Sequence, residues 1–336
     1  MIDRRRLLRR GLTGGAAMLA GSVLPGGLGL GAAEVGALRV VSLKFGSLNW
    51  LLETIKAEGF AQKAGLKLDI VEVATNQAGP VALLANEVDV IVSDWPWALR
   101  QRALGQKLKF RPYSSSLGSV MVAKDGPVKS LDDLKGRRLG IAGSAIDKSW
   151  LLLRAYSRKV LGYDIAEAAE PVFGAAPLVA EELKNGRVDA CLNFWTFAAR
   201  LEGAGFRPLI GVDEMMEKLG IEPSPPLVGF VWREETAAAK GAALKAFFAA
   251  VDEANHVLAM SDTAFERLKP LMRAESDAEY FALKAYYRSG IPKPWGEKQT
   301  ASAQKLFELL VEEGGKELVG NGTTFDPVLF DGAGNG

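Results

Sequence analysis

Two stretches set one hundred residues apart constrain this chain more than any other feature of it. Val88-Asp89-Val90-Ile91-Val92-Ser93-Asp94-Trp95-Pro96-Trp97 reads as a short buried strand that ends in a polar and aromatic loop. It recurs as Val188-Asp189-Ala190-Cys191-Leu192-Asn193-Phe194-Trp195-Thr196-Phe197. Ala98 and Arg100 match Ala198 and Arg200, and Trp50-Leu51-Leu52 matches Trp150-Leu151-Leu152 at the same offset. A strand, loop and helix repeated in this way predict two similar α/β lobes. Two such lobes facing each other enclose a cleft, and the echoed loops would line it.

The order of the remaining elements agrees with that reading. Leu38–Leu43, Leu66–Val73, 88–92, 107–113 and Ser119–Ala123 read as strands, with helices over about 48–64, 80–85 and 95–104. Such alternation implies a mainly parallel sheet with helices on both faces. The second lobe is expected to begin after Lys124-Asp125-Gly126-Pro127, with strands at about 139–141, 170–173, 188–192 and 206–210. Leu227–Trp232 is a strand that returns to the first lobe, and helices over about 243–260, 262–269, 277–289 and 298–313 follow. The expected domains are therefore residues 34–124 with 228–336, and residues 125–227. The chain crosses between them near 123–128 and 224–229, and two crossings make a hinge.

Residues 1–33 are read as an export signal. Arg4 to Arg10 form a basic head, Gly11–Ala32 is weakly apolar without an acidic residue, and Gly31-Ala32-Ala33 suits cleavage. Arg5-Arg6-Leu7-Leu8 resembles the twin-arginine type of signal. Five glycines and Pro25 between Gly21 and Gly31 argue against a stable spanning helix. The mature chain is expected to begin near Glu34 and to work in the periplasm as a monomer.

Composition removes several function classes. Forty-one basic residues against forty acidic ones leave no bulk charge for nucleic acid. Cys191 is the single cysteine and His256 the single histidine. They leave no intrachain disulfide, no thiolate metal site and little room for histidine chemistry. A buried, inert thiol is the expectation for Cys191. Phosphate-loop, G-x-S-x-G and H-E-x-x-H motifs are missing, and no metal or cofactor is expected.

Open α/β sheets bind ligands beyond the carboxyl ends of their strands. In the first lobe this places Lys44, Ser47, Asn49, Trp50, Asn76, Gln77, Ser93, Asp94, Trp95 and Ser115 as candidate ligand contacts. In the second it places Asp147, Lys148, Trp150, Asn193 and Trp195. Five of the seven tryptophans fall at these loops, which suits an aromatic-walled cleft, whereas Trp232 reads as core. Asp94 and Asp147 with aromatic walls would suit a cation. Helix N-termini at Ser47, Gln77 and Ser144 with Lys44 or Lys148 would suit an anion. Either aspartate also suits a helix N-cap.

Ser130-Leu131-Asp132-Asp133-Leu134-Lys135-Gly136-Arg137-Arg138-Leu139-Gly140-Ile141 resembles a segment of type II periplasmic binding proteins. Lys184-Asn185-Gly186-Arg187-Val188-Asp189-Ala190 ahead of Trp195 resembles the nitrate/sulfonate/taurine (NitT/TauT) group of solute-binding proteins. The likeness spans roughly residues 38–320. It implies two α/β lobes joined by a two-segment hinge, and a protein that captures a small solute for an ABC permease and ATPase. The alternative readings are a pyrimidine-synthase-like enzyme of the same superfamily and a ligand-sensing domain. The loop Lys44-Phe45-Gly46-Ser47-Leu48-Asn49-Trp50 and the pair Trp95/Trp97 depart from a sulfonate binder, so that ligand is not carried over.

Overall fold

The computed structural model describes residues 34–44, 46–320 and 322–330. The expected export signal lies outside the described residues. The chain runs β1 (Gly36–Leu43), α1 (Leu48–Ala57), α2 (Phe60–Lys63), β2 (Leu66–Val73), α3 (Ala78–Leu84), β3 (Val90–Asp94), α4 (Trp95–Ala103) and β4 (Leu108–Ser114). Then come β5 (Ser119–Ala123), β6 (Arg138–Ala142), α5 (Lys148–Tyr156), α6 (Ile165–Ala168), β7 (Glu170–Gly174), α7 (Ala176–Lys184), β8 (Ala190–Asn193), α8 (Trp195–Gly203), β9 (Phe206–Gly211) and α9 (Val212–Lys218). The last part is β10 (Val228–Arg233), α10 (Glu234–Met260), α11 (Asp262–Met272), α12 (Asp277–Ser289) and α13 (Glu297–Val319), closed by a 3-10 turn at Pro327–Phe330.

These strands form two five-stranded sheets, ordered β2-β1-β3-β10-β4 and β7-β6-β8-β5-β9. In each, the first three strands are parallel and the fourth is antiparallel to both its neighbours. The echo in the sequence is thus an echo in topology. Its shared anchor is an aspartate at the amino end of the third strand. Asp89 accepts the Arg39 backbone N–H at 2.8 Å, and Asp189 accepts that of Arg138 at 3.1 Å. Each carboxylate also meets an arginine head, Arg39 at 2.9 Å and Arg137 at 2.9 Å.

Two expectations about boundaries need correction. Ser119–Ala123 pairs with β8 and β9, so it belongs to the second sheet. The first crossing therefore lies between Ser114 and Ser119, not at 123–128. The physical reason is that each sheet takes its antiparallel strand from the chain arriving from the other lobe: β5 enters the second sheet and β10 the first. Both arriving segments need a glycine. A Cβ on Gly118 would sit 1.9 Å from the Asn193 carbonyl, and one on Gly229 would sit 2.3 Å from that of Arg111. The helix expected over 48–64 is broken at Gly59, whose φ of +70° is left-handed. Ser47 does not cap α1 through its side chain.

The carboxy-terminal helices cover both lobes. α10 packs on α1 and β1, α12 on α8, and α13 on both α4 and α5. One apolar core consequently runs from Val41, Ile91 and Trp95 through Leu306 and Leu310 to Leu139, Ile141 and Trp150. Among the described residues no helix is long and apolar enough to cross a membrane.

Candidate functional site

A cavity of about 690 Å³ opens at the carboxyl ends of β1, β2 and β3, between the two sheets. Its size suits a small organic molecule. Most of its wall comes from the first lobe. Ser47, Asn76, Gln77, Ser93, Asp94 and Trp97 are joined there by Arg100, Tyr113, Ser114 and Ser116. The second lobe adds Ile146, Lys148 and Trp195, and α13 adds Leu318.

Two contacts tie the lobes together across this space. The Lys148 ammonium lies 3.0 Å from Asp94 Oδ2, with both side chains about a quarter exposed. Asp94 ends β3 and caps α4, where its Oδ1 accepts the Trp97 N–H at 2.8 Å. Trp195 of α8 stands edge-on to Trp50 of α1, with centroids 6.0 Å apart and planes at 88°. Tyr113 donates its phenol proton to Ser47 Oγ at 3.0 Å, and burial pushes that phenol's pKa up. Behind Lys148, Asp147 caps α5 by accepting the Ser149 N–H at 2.9 Å. Burial raises the Asp147 pKa against the pull of Lys148. Burial works to lower the Lys148 pKa, but the carboxylates of Asp94 and Asp147 outweigh it and the net direction is up.

Of the fifteen residues expected to meet a ligand, Ser47, Asn76, Gln77, Ser93, Asp94, Lys148 and Trp195 line this cavity. The others do not, for physical reasons. Trp95 has no exposed surface: it packs on Phe307, Phe325 and Phe330 and donates Nε1–H to the Pro226 carbonyl at 3.1 Å. Trp150 is buried against Phe173, and Trp50 is buried behind Trp195 and Tyr287. Asn193 is buried, with its amide spent on the Ala176 carbonyl and the Phe194 N–H. Asn49 ties the β1–α1 turn through Ser42 and the Leu43 carbonyl. Together with Lys44 it faces a separate groove along β2. Ser115 bonds through its N–H to the Gly290 carbonyl and faces a smaller pocket by β9. Asp147 is a cap.

Trp97, counted in the sequence among the five loop tryptophans but not among the candidate contacts, lines the cavity, as do Arg100 and Tyr113, which the sequence reading passed over. A helical signal could have found the first two. Trp95, Ala98 and Leu99 follow the i, i+3, i+4 spacing of a buried face, which leaves Trp97 and Arg100 on the other. Cys191 is buried and its thiol is pushed up to about 12 by desolvation, as expected of an inert core residue. Among the described residues no group of histidine, cysteine or carboxylate side chains could hold a metal ion.

Two sheets of one topology, a chain that crosses twice between them and a lined space at their facing strand ends define the two-lobed fold of periplasmic binding proteins. The alkanesulfonate-binding protein SsuA from Xanthomonas axonopodis pv. citri, bound to MOPS, is similar with a TM-score of 0.64 and 20% identity, over 90% of this chain and 99% of that one. The aliphatic sulphonate binding protein SsuA from Escherichia coli is similar with a TM-score of 0.67 and 20% identity, over 87% of this chain and 92% of that one. At such identities the likeness is one of fold. Residues 54–262 match the family described as NMT1/THI5 like, and the chain belongs to that family. A Haemophilus influenzae protein named for thiamine biosynthesis is 31% identical over 137 residues, 40% of this chain. The chain spans 42% of the length of that relative. The desulfurization enzyme DSZB shares the fold with a TM-score of 0.60 and 16% identity, over 89% of this chain and 96% of that one.

Proposed function

We propose that the chain is the solute-binding component of an ABC importer, exported to the periplasm, where it captures a small solute and presents it to a permease and its ATPase. The observation that carries this reading is the cavity of about 690 Å³ at the facing strand ends, closed on one side by Asp94 and on the other by Lys148 and Trp195. Residues from both lobes meet over that space, so a ligand held there favours the closed arrangement through contacts the open one lacks. The basic, small-residue leader ahead of Glu34 supports export.

An enzyme of the same fold is the second reading, favoured by the thiamine-named relative and by the fold shared with DSZB. Pyrimidine-synthase chemistry needs a reactive histidine. His256 is exposed on α10 and does not line the cavity, which favours the carrier. Thermal-shift screening of the purified full-length chain against amines, sulfonates, carboxylates and pyrimidines tests the choice. A solute at a hundred times its dissociation constant stabilises by about 2.7 kcal/mol. The carrier reading expects such a shift, unchanged in His256→Ala and without turnover of the solute. Turnover that disappears in His256→Ala would establish the enzyme. A folded protein that no solute stabilises would refute the carrier.

A further inference from the structure

Lys148 stands where an anion receptor would be built. It is the first residue of α5, at the positive end of a nine-residue helix, and it faces the cavity beside Arg100. The protein itself has filled that place with a carboxylate. Asp94 reaches from the opposite lobe to 3.0 Å from the ammonium. Its second oxygen is held by the Trp97 N–H at 2.8 Å, so it cannot swing aside without uncapping α4. Asp147 lies behind Lys148, whose ammonium feels the pull of Asp94 and Asp147 and the repulsion of Arg100. The Asp94 carboxylate therefore compensates the Lys148 ammonium, while Arg100 donates from one guanidinium nitrogen to the Leu318 carbonyl at 3.3 Å. A small anion reaching for Lys148 has to displace Asp94, and an amine reaching for Asp94 has to displace Lys148.

We propose that the Asp94–Lys148 pair is a specificity gate, an internal counter-ion that makes the closed cleft select solutes without net charge over small anions such as sulfonates. The inference rests on the solute-binding reading and names what that cleft rejects. It also assigns each partner a separate role. Asp94 keeps anions out by occupying Lys148, and Lys148 keeps amines out by occupying Asp94. Trp97, Trp195 and the hydroxyls of Ser93 and Ser114 then remain to hold an uncharged solute by stacking and neutral hydrogen bonds.

Isothermal titration of the purified full-length chain with sodium ethanesulfonate and with ethylammonium chloride tests the gate. Asp94→Asn, which can still cap α4, is expected to bind ethanesulfonate at least tenfold more tightly than the wild type. Asp94→Ser serves the same purpose should the amide disturb packing. Adding Lys148→Met to Asp94→Asn is expected to abolish the gain. Lys148→Met alone is expected to bind ethylammonium at least tenfold more tightly than the wild type. Wild-type protein that binds ethanesulfonate as tightly as Asp94→Asn overturns the gate, as do folded variants that gain nothing. Failure of the solute-binding reading looks different: no uncharged solute stabilises the wild type, while the charge variants can still gain ion affinity.

Discussion

Replacing Asp89 by Asn should remove a defined part of this protein's resistance to acid. The Asp89 side chain is 4% exposed. It accepts the Arg39 backbone N–H at 2.8 Å, Arg39 Nε at 3.2 Å and NH2 at 2.9 Å, and the Lys240 ammonium at 2.8 Å. Burial alone would raise its pKa, but these donors outweigh burial and bring it from the ordinary 3.8 down to about 2. Each unit is worth about 1.4 kcal/mol, so the depression stabilises the fold by about 2 kcal/mol. The sign follows from the direction. The folded value lies below the unfolded one, so this contribution is complete above about pH 4 and is lost as pH falls through about 2. For the roughly 300 described residues, an unfolding entropy near 0.6 kcal/mol per kelvin turns 2 kcal/mol into about 3 °C. Urea unfolding of the wild type and Asp89→Asn, each at pH 7 and at several values between pH 4 and pH 2, reads it directly. The variant should be weaker by about 2 kcal/mol at pH 7, and the two curves should converge toward pH 2. Asp189→Asn is the internal control: its side chain is 31% exposed, as is 39% of its partner Arg137. A pair so open to solvent contributes less than about 1 kcal/mol. Parallel pH curves for wild type and Asp89→Asn would refute the argument.

Trp95→Ala empties a fully buried site and should cost about 3–5 kcal/mol in urea unfolding, whereas Trp95→Phe keeps most of the volume and loses mainly the bond to Pro226. A Trp95→Ala protein of native stability would contradict its place in the core. Gly118→Ala forces a Cβ to within 1.9 Å of the Asn193 carbonyl, so β5 must move off β8. Thermal unfolding should show a loss of about 1–3 kcal/mol, and an unchanged midpoint would mean that the first crossing segment shifts at no cost.

The fold was legible in the sequence because its strongest signals are local and repeated. The echo of Val88–Trp97 in Val188–Phe197 follows from a shared strand, turn and helix. The apolar run of Leu227–Trp232 marks it as a buried strand. The membership of Ser119–Ala123 was not legible, because a strand's own pattern says that it is buried and not which sheet buries it. The cavity was half legible for a related reason. Strand ends told which loops gather, but each loop carries residues that face outward into the space and residues that face back into a helix or sheet. Asn49 and Asn193 are polar yet spend their amides on neighbouring backbone and side-chain groups, and a satisfied amide looks the same in sequence as a free one.

The repeat itself explains where the site departs from symmetry. Trp95 and Trp195 occupy the same position after the same strand, yet one is core and the other lines the cavity. The difference comes from what the carboxy-terminal part of the chain lays over each. Phe307 on α13, Phe325 and Phe330 surround Trp95. Trp195 meets Trp50 of the opposite lobe instead. The preceding position diverges in chemistry as well: Asp94 carries the carboxylate that reaches Lys148, and its counterpart Phe194 is apolar and partly exposed. A matched pair of aspartates there would have placed two negative charges toward one space. With Asp94 alone, a single carboxylate of one lobe meets a single ammonium of the other. The duplicated scaffold thus supplies the opposed strand ends, and a position where its two copies differ supplies the carboxylate that bridges them to Lys148.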